Sequence, residues 1–106
     1  MSRIVEFVSF RLKEGVSMPD FLLVSDRLNA EFITRQRGYL GRKLIADGGL
    51  WADLVLWATL EDAQNAARIF AESAIAGEYM AYIDEASVDF HHFTIAKDYQ
   101  PTGEGL

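Results

Sequence analysis

The stretch Gly41–Ala58, GRKLIADGGLWADLVLWA, decides the fold. Two runs of aliphatic and aromatic residues flank Gly48 and Gly49, a glycine pair that can take positive φ, and this pattern predicts a hairpin of two strands. Upstream, Ser17 lies three residues before Asp20, Pro19 falls in the first turn, and Phe21, Val24, Leu28 and Phe32 recur at helical spacing; the pattern predicts a helix that Gly38 stops. Downstream, Thr59 with Asp62 three residues on predicts a second capped helix carrying Ala63, Ala66, Ala67 and Phe70 on one side. Gly77 is expected to break or end that helix, with EYMAYI (Glu78–Ile83) forming a further turn. Outside the helices lie two more β-rich runs, RIVEFVSFRL (Arg3–Leu12) and VDFHHFTIA (Val88–Ala96). The order is therefore β-α-β-β-α-β: a ferredoxin-like α+β fold, a four-stranded antiparallel sheet with two helices on one face. Residues 1–97 read as one domain and residues 98–106 as a flexible polar C-terminal tail. There is no short-period repeat and no low-complexity segment.

Composition narrows the function. A chain of 106 residues can bury one core but has no room for a separate cofactor domain. Half its residues are hydrophobic and a quarter charged, the balance of a globular protein. A net charge of −6 repels phosphate backbones and anionic lipid, so neither nucleic acid nor a membrane surface is an expected partner. With no cysteine there is no disulfide, thiolate nucleophile or sulfur metal site. The opening MSRIVEFVSFRL is broken by Arg3, Glu6 and Arg11, which argues against a signal peptide or membrane span; a cytoplasmic location is expected.

The strands are apolar on both faces. The first puts Ile4, Val8, Phe10 and Leu12 on one face and Val5 and Phe7 on the other; the third sets Trp51, Val55 and Trp57 opposite Leu54 and Leu56. In the fourth, Val88 and Phe90 oppose Phe93 and Ile95. Two helices cover only one sheet face, and an apolar face of several hundred Å² is not left bare. A second copy of the chain about a two-fold axis is the simplest cover, so a homodimer is expected.

The segments IVEFVSFRLKEGVS, QRGYLGRKLIAD, DLVLWATLEDA and SVDFHHF, in that order over roughly nine-tenths of the chain, resemble the dimeric α+β barrel proteins grouped with the antibiotic biosynthesis monooxygenases. The resemblance implies a homodimer with facing sheets and an active cleft between each sheet and its own helices. It also implies oxidation of aromatic compounds by dioxygen without metal, flavin or haem. The haem-degrading branch uses an Asn on strand one, a Trp ending strand three and a His on helix two. Trp57 matches that Trp, but Val8 stands where the Asn would be and helix two has no His, so haem degradation is disfavoured.

The only histidines, His91 and His92, are adjacent in DFHHF (Asp89–Phe93). Successive strand residues point to opposite faces, so the two cannot form a metal-binding pair within one subunit, and no metal or other cofactor is expected. If Trp57 marks the cleft face, Glu6 and Val8 share it and His92 joins them, while His91 faces the partner subunit. His92 could accept a phenolic proton; equally, it could be a strand histidine hydrogen-bonded for structural reasons. Glu6, a carboxylate in an apolar strand, is a candidate acid or base, or a partner for Arg3 or Arg11. Trp51 and Trp57 could wall a flat ligand or simply fill the core. Tyr39 is placed at a cleft mouth, and Tyr79 and Tyr82 could bond a ligand or cap the core. Ser9 has no triad, and neither glycine cluster has phosphate-binding spacing.

Two functions follow. One is a cofactor-independent monooxygenase, an oxidoreductase acting on a small aromatic or quinone-like compound, with His92 and Glu6 catalytic and Trp57, Trp51, Tyr39, Tyr79 and Tyr82 at the ligand. The other is a non-catalytic or differently catalytic dimeric barrel binding a small apolar metabolite. A cavity reached by His92 or Glu6 favours the first; a face filled by Phe10, Trp57 and Phe90 favours packing alone.

Overall fold

In a computed structural model describing residues 2–101, the hairpin forms from β2 (Tyr39–Asp47) and β3 (Leu50–Trp57). Of the glycine pair only Gly48 takes positive φ, at +59°. The outer strands are β1 (Ile4–Leu12) and β4 (Ile83–Thr94), and the antiparallel sheet runs β2-β3-β1-β4. The ferredoxin-like order is as the sequence predicts.

Helix α1 (Met18–Glu31) begins where expected, with the Ser17 hydroxyl accepting from the Asp20 N–H at 3.2 Å. It ends well before Gly38. Phe32 leaves helical geometry at φ −128°, and Phe32 and Ile33 turn into the core ahead of a 3₁₀ turn over Ile33–Arg35. Gly38 serves a different purpose: it sits at φ +82°, and a Cβ there would overlap the Asp62 carboxyl. The second predicted helix is two, α2 (Leu60–Phe70), capped by Thr59, and α3 (Ala74–Met80), capped by Ser73. The break falls at Ala71–Ser73 rather than at Gly77, which lies inside α3, because the Ser73 hydroxyl takes up the Ala76 N–H and restarts the helix.

Strand β4 starts at Ile83, five residues before the expected Val88. The early part is hidden in the sequence by an irregularity: Ser9 pairs with Asp89 but Arg11 with Asp84, and the Ser87 hydroxyl bridges the gap by accepting from the Arg11 N–H at 2.8 Å. From Asp89 onward the register is regular, with Val8 opposite Phe90 and Glu6 opposite His92.

The three helices cover one sheet face. There Phe10, Phe21, Trp51 and Tyr79 make the aromatic centre of the core, with Phe21 5.1 Å from Trp51 and 5.2 Å from Tyr79 between ring centroids. Phe21 is fully buried, so truncating it to Ala would cost about 3–5 kcal/mol. On the other face lie Val5, Phe7, Leu54 and Leu56, half-buried, with Ile45 and Phe93 about half exposed. Residues 98–101 carry no secondary structure, and Asp98 pairs with Arg3 at 3.1 Å; the rest of the expected tail, residues 102–106, lies outside the described residues. Among the described residues no helix is long and apolar enough to cross a membrane.

Candidate active site

Between the sheet and its helices lies a cavity of about 220 Å³. Its walls are apolar, with Phe32, Phe70, Met80 and Phe90 among them, and three polar side chains reach it: Glu6 from β1, Asp53 from β3 and Tyr79 from α3. Trp57 also lines it.

Glu6 arrives there because β1 is two-periodic, carrying Ile4, Glu6, Val8 and Phe10 to the helix side. Its cross-strand neighbour is His92, and the His92 Nε2 stands 2.9 Å from Glu6 Oε1 with both side chains 15% exposed. Oε2 takes no hydrogen bond among the described residues. Burial pushes the Glu6 carboxyl above its usual range; the His92 hydrogen bond and charge pull it partly back, and nearby Asp53 adds a further push upward. His92 does not itself line the cavity. It stands behind Glu6, its ring 4.8 Å from that of Phe90.

Asp53 is held by a buried network. Arg42 Nε donates to Asp53 Oδ1 and Arg42 Nη2 to Oδ2, both at 2.8 Å, a two-pronged clamp between side chains only 6% and 10% exposed. Arg42 also donates through Nη1 to the Ser25 carbonyl at 3.2 Å and through Nη2 to the Ser25 hydroxyl at 3.0 Å. The Tyr79 hydroxyl donates to Asp53 Oδ2 at 2.9 Å, so its proton is committed. Burial and then the Asp53 charge push that phenol well above its ordinary value. Burial opposes the Arg42 charge, but the bonds and attraction from Asp53 outweigh it and hold the guanidinium above its usual value. A second, shallower depression of about 290 Å³ lies on the far side of this pair, between α1 and β2, with Ser25, Asn29, Tyr39 and Arg42 in its wall.

The residues singled out from sequence separate accordingly. Glu6, Trp57 and Tyr79 meet at the cavity, with His92 one hydrogen bond behind. Glu6 bonds His92, not Arg3 or Arg11, since Arg11 points to the opposite face and Arg3 turns to Asp98. Trp51 does not wall the cavity; it is core, packed edge-on against Phe21. Tyr39 lines the second depression and touches Trp57, 6.2 Å between centroids, and Tyr82 packs beside the core without lining either space. His91 faces the uncovered sheet side, stacked on Phe93 at 5.2 Å and 3.1 Å from Asp89. The Trp57 indole Nε1 is buried without an acceptor among the described residues. No group of three or more His, Asp or Glu among them is placed to hold a metal.

The sequence reading missed Asp53 and Arg42. Asp53 stood in plain sight, a lone charge at a core parity between Trp51 and Val55. Arg42 lies opposite Val55 across the hairpin, next to the partner of Asp53, Leu44, so the hairpin register places the two charges diagonally on one face.

No family model matches the sequence, and no curated protein matches it either. Among solved structures, the chain is similar to a variant of SnoaB, a cofactor-independent oxygenase from Streptomyces nogalater. The TM-score is 0.74 at 16% identity, covering 92% of this chain and 97% of that one. It is also similar to a candidate antibiotic biosynthesis monooxygenase from Bordetella bronchiseptica, with TM-score 0.66 at 21% identity and coverage of 88% and 96%. A dimeric ferredoxin-like protein from an uncultured marine organism matches with TM-score 0.67 at 7% identity, covering 96% and 95%. The chain therefore has the ferredoxin-like fold on which antibiotic biosynthesis monooxygenases are built.

Proposed function

We propose that the protein is a cofactor-independent monooxygenase that oxidises a small aromatic compound with dioxygen, working as a homodimer. One observation carries this: Glu6, its Oε1 held by His92 and its Oε2 without a hydrogen bond among the described residues, lines a largely apolar cavity. The volume of about 220 Å³ lies below the roughly 300–1,000 Å³ usual for drug-sized ligands and suits a one- or two-ring compound.

In this mechanism Glu6 Oε2 takes the proton of a phenolic or enolic hydroxyl, leaving the ring an electron-rich anion. His92 holds Oε1 and orients the carboxylate, so the proton acceptor is Glu6 and the histidine is its support. The anion passes one electron to dioxygen, and the resulting radical and superoxide join in a new C–O bond. The peroxide takes back the proton held by Glu6, restoring the carboxylate, and loss of the hydrogen on the oxygenated ring carbon with cleavage of the O–O bond leaves a carbonyl and releases water. Burial favours this chemistry because the proton affinity of Glu6 is raised towards that of its task. The uncovered face bearing Phe7, Leu54, Leu56 and Phe93 supports pairing of two sheets.

Oxygen uptake by the metal-free protein over a panel of one- and two-ring hydroxyarenes, hydroquinone, 1-naphthol and 1,4-dihydroxynaphthalene, tests the proposal. Uptake that depends on Glu6 is expected. A panel without any turnover, with ligand nonetheless bound in the cavity, would favour a metabolite-binding barrel instead.

A further inference from the structure

The cavity wall is one-sided in charge. Taken element by element, β1 contributes Glu6, β3 contributes Asp53 and α3 contributes Tyr79, while α1 and α2 contribute only apolar side chains. The nearest cation, Arg42 of β2, is not in the lining: its Nε and Nη2 are spent on Asp53, and Nη1 and Nη2 on Ser25. His92 of β4 is turned to Glu6. A ligand entering this space meets two carboxylates and a phenol whose proton already belongs to Asp53.

We propose that Asp53 is the specificity-determining residue of the cavity, so that the site admits neutral ring compounds able to donate a hydrogen bond and refuses ionised acids of the same shape. This rests on the cavity being the ligand site of the proposed function. A neutral phenol finds an acceptor in the free Glu6 oxygen and gives up little hydration. A carboxylate would lose its water in a space of low dielectric and find no uncommitted cation there, since Asp53 holds Arg42. Asp53 acts by occupying the guanidinium that could otherwise receive an acid; its own charge is largely matched by that guanidinium, so what it denies an acid is the cation. Its removal should therefore invert the preference. In Asp53→Ala, Arg42 is left buried without its counter-charge, beside room vacated by the lost carboxyl, and an incoming aryl carboxylate can take the place of the missing one.

The test uses 2-naphthol and 2-naphthoate, ligands of matched size, on the full chain under nitrogen, so that no turnover intervenes. Binding is followed by calorimetry and by the thermal midpoint. The parent should bind 2-naphthol at least about tenfold tighter than 2-naphthoate, since an unpaired desolvated charge costs more than a made hydrogen bond returns. Asp53→Ala should reverse the order, with 2-naphthoate raising its midpoint and leaving that of the parent unmoved. Should Asp53→Ala fail to fold, Asp53→Asn, which removes the charge at the same volume, takes its place with the same expected reversal. Equal binding of the two ligands by the parent overturns the proposal, as does a folded variant that still prefers 2-naphthol. The outcome is separable from oxidation: selective binding without oxygen uptake supports the charge filter while removing the oxygenase, and oxygen uptake with unselective binding does the reverse.

Discussion

Arg42→Met removes the guanidinium from its clamp on Asp53, and the structure sets the size of the loss. Both side chains are nearly sealed, at 6% and 10% exposure, and two 2.8 Å charge-assisted bonds join them. The substitution leaves the Asp53 carboxylate buried with only the Tyr79 hydroxyl as a partner. Breaking a buried pair from one side costs about 3–5 kcal/mol, because the orphaned charge keeps its desolvation penalty. Against a total of roughly 5–15 kcal/mol for a domain, that is a large fraction. With a urea slope of about 1–3 kcal/mol/M, the midpoint should fall by roughly 2 M, read by far-ultraviolet circular dichroism. The double variant Arg42→Met with Asp53→Leu should recover most of the loss, since an apolar pair of similar volume leaves no stranded charge. The exposed pair between Arg27 and Glu78 is the control, and Arg27→Met should barely move the midpoint. A loss under about 1 kcal/mol for Arg42→Met, the scale of surface pairs, would refute this account of the network.

Three other outcomes are expected. The protein should scatter light as a dimer at micromolar concentration, and Leu54→Glu, on the uncovered sheet face, should yield monomer; a parent that is monomeric with native circular dichroism would contradict the homodimer. Glu6 has its carboxyl raised in the fold by burial, so its contribution to stability is full below the unfolded value of 4.5 and is lost as pH rises through the raised one, with His92 and Asp53 as the charges that face it. Glu6→Gln cannot ionise and should therefore gain thermal stability relative to the parent as pH rises above 4.5; parallel pH profiles would argue that the carboxylate is not desolvated. Finally, His92→Ala should lower turnover while the dimer persists, whereas His91→Ala should weaken the dimer and spare turnover, with identical effects of the two counting against the face assignment.

Period-two alternation made the sheet legible. It put Glu6, Trp57 and His92 on one face without any knowledge of partners, because the irregularity in β4 falls before Asp89 and leaves the parity of the last residues intact. What alternation cannot report is depth. Trp51 and Trp57 share a parity, yet one is packed under Phe21 and the other meets the cavity, a difference set by where the helices sit above the strand. His92 and Glu6 likewise share a face, but which of them fronts the cavity depends on side-chain reach. The helix break was missed for a related reason. Gly77 drew attention as a residue of poor helix propensity, whereas the break is made immediately ahead of α3 by Ser73, whose hydroxyl accepts from the Ala76 N–H.

The irregular pairing of β4 with β1 bears on how the protein avoids clumping. β4 is an outer strand, and an outer strand with regular, apolar, unpaired backbone is a template on which another chain can add. Here its first half bends away from regular geometry between Asp84 and Asp89, and the exposed Asp84, Glu85 and Asp89 place carboxylates along it. The opposite border, β2, has a register shift of its own between Tyr39 and Gly41, with Lys43 and Asp47 further along. Distortion and charge at both borders disfavour sideways growth of the sheet into a continuous ribbon. In the proposed homodimer a copy of the chain would approach from above the apolar face, and that contact would give a closed pair instead of an open polymer.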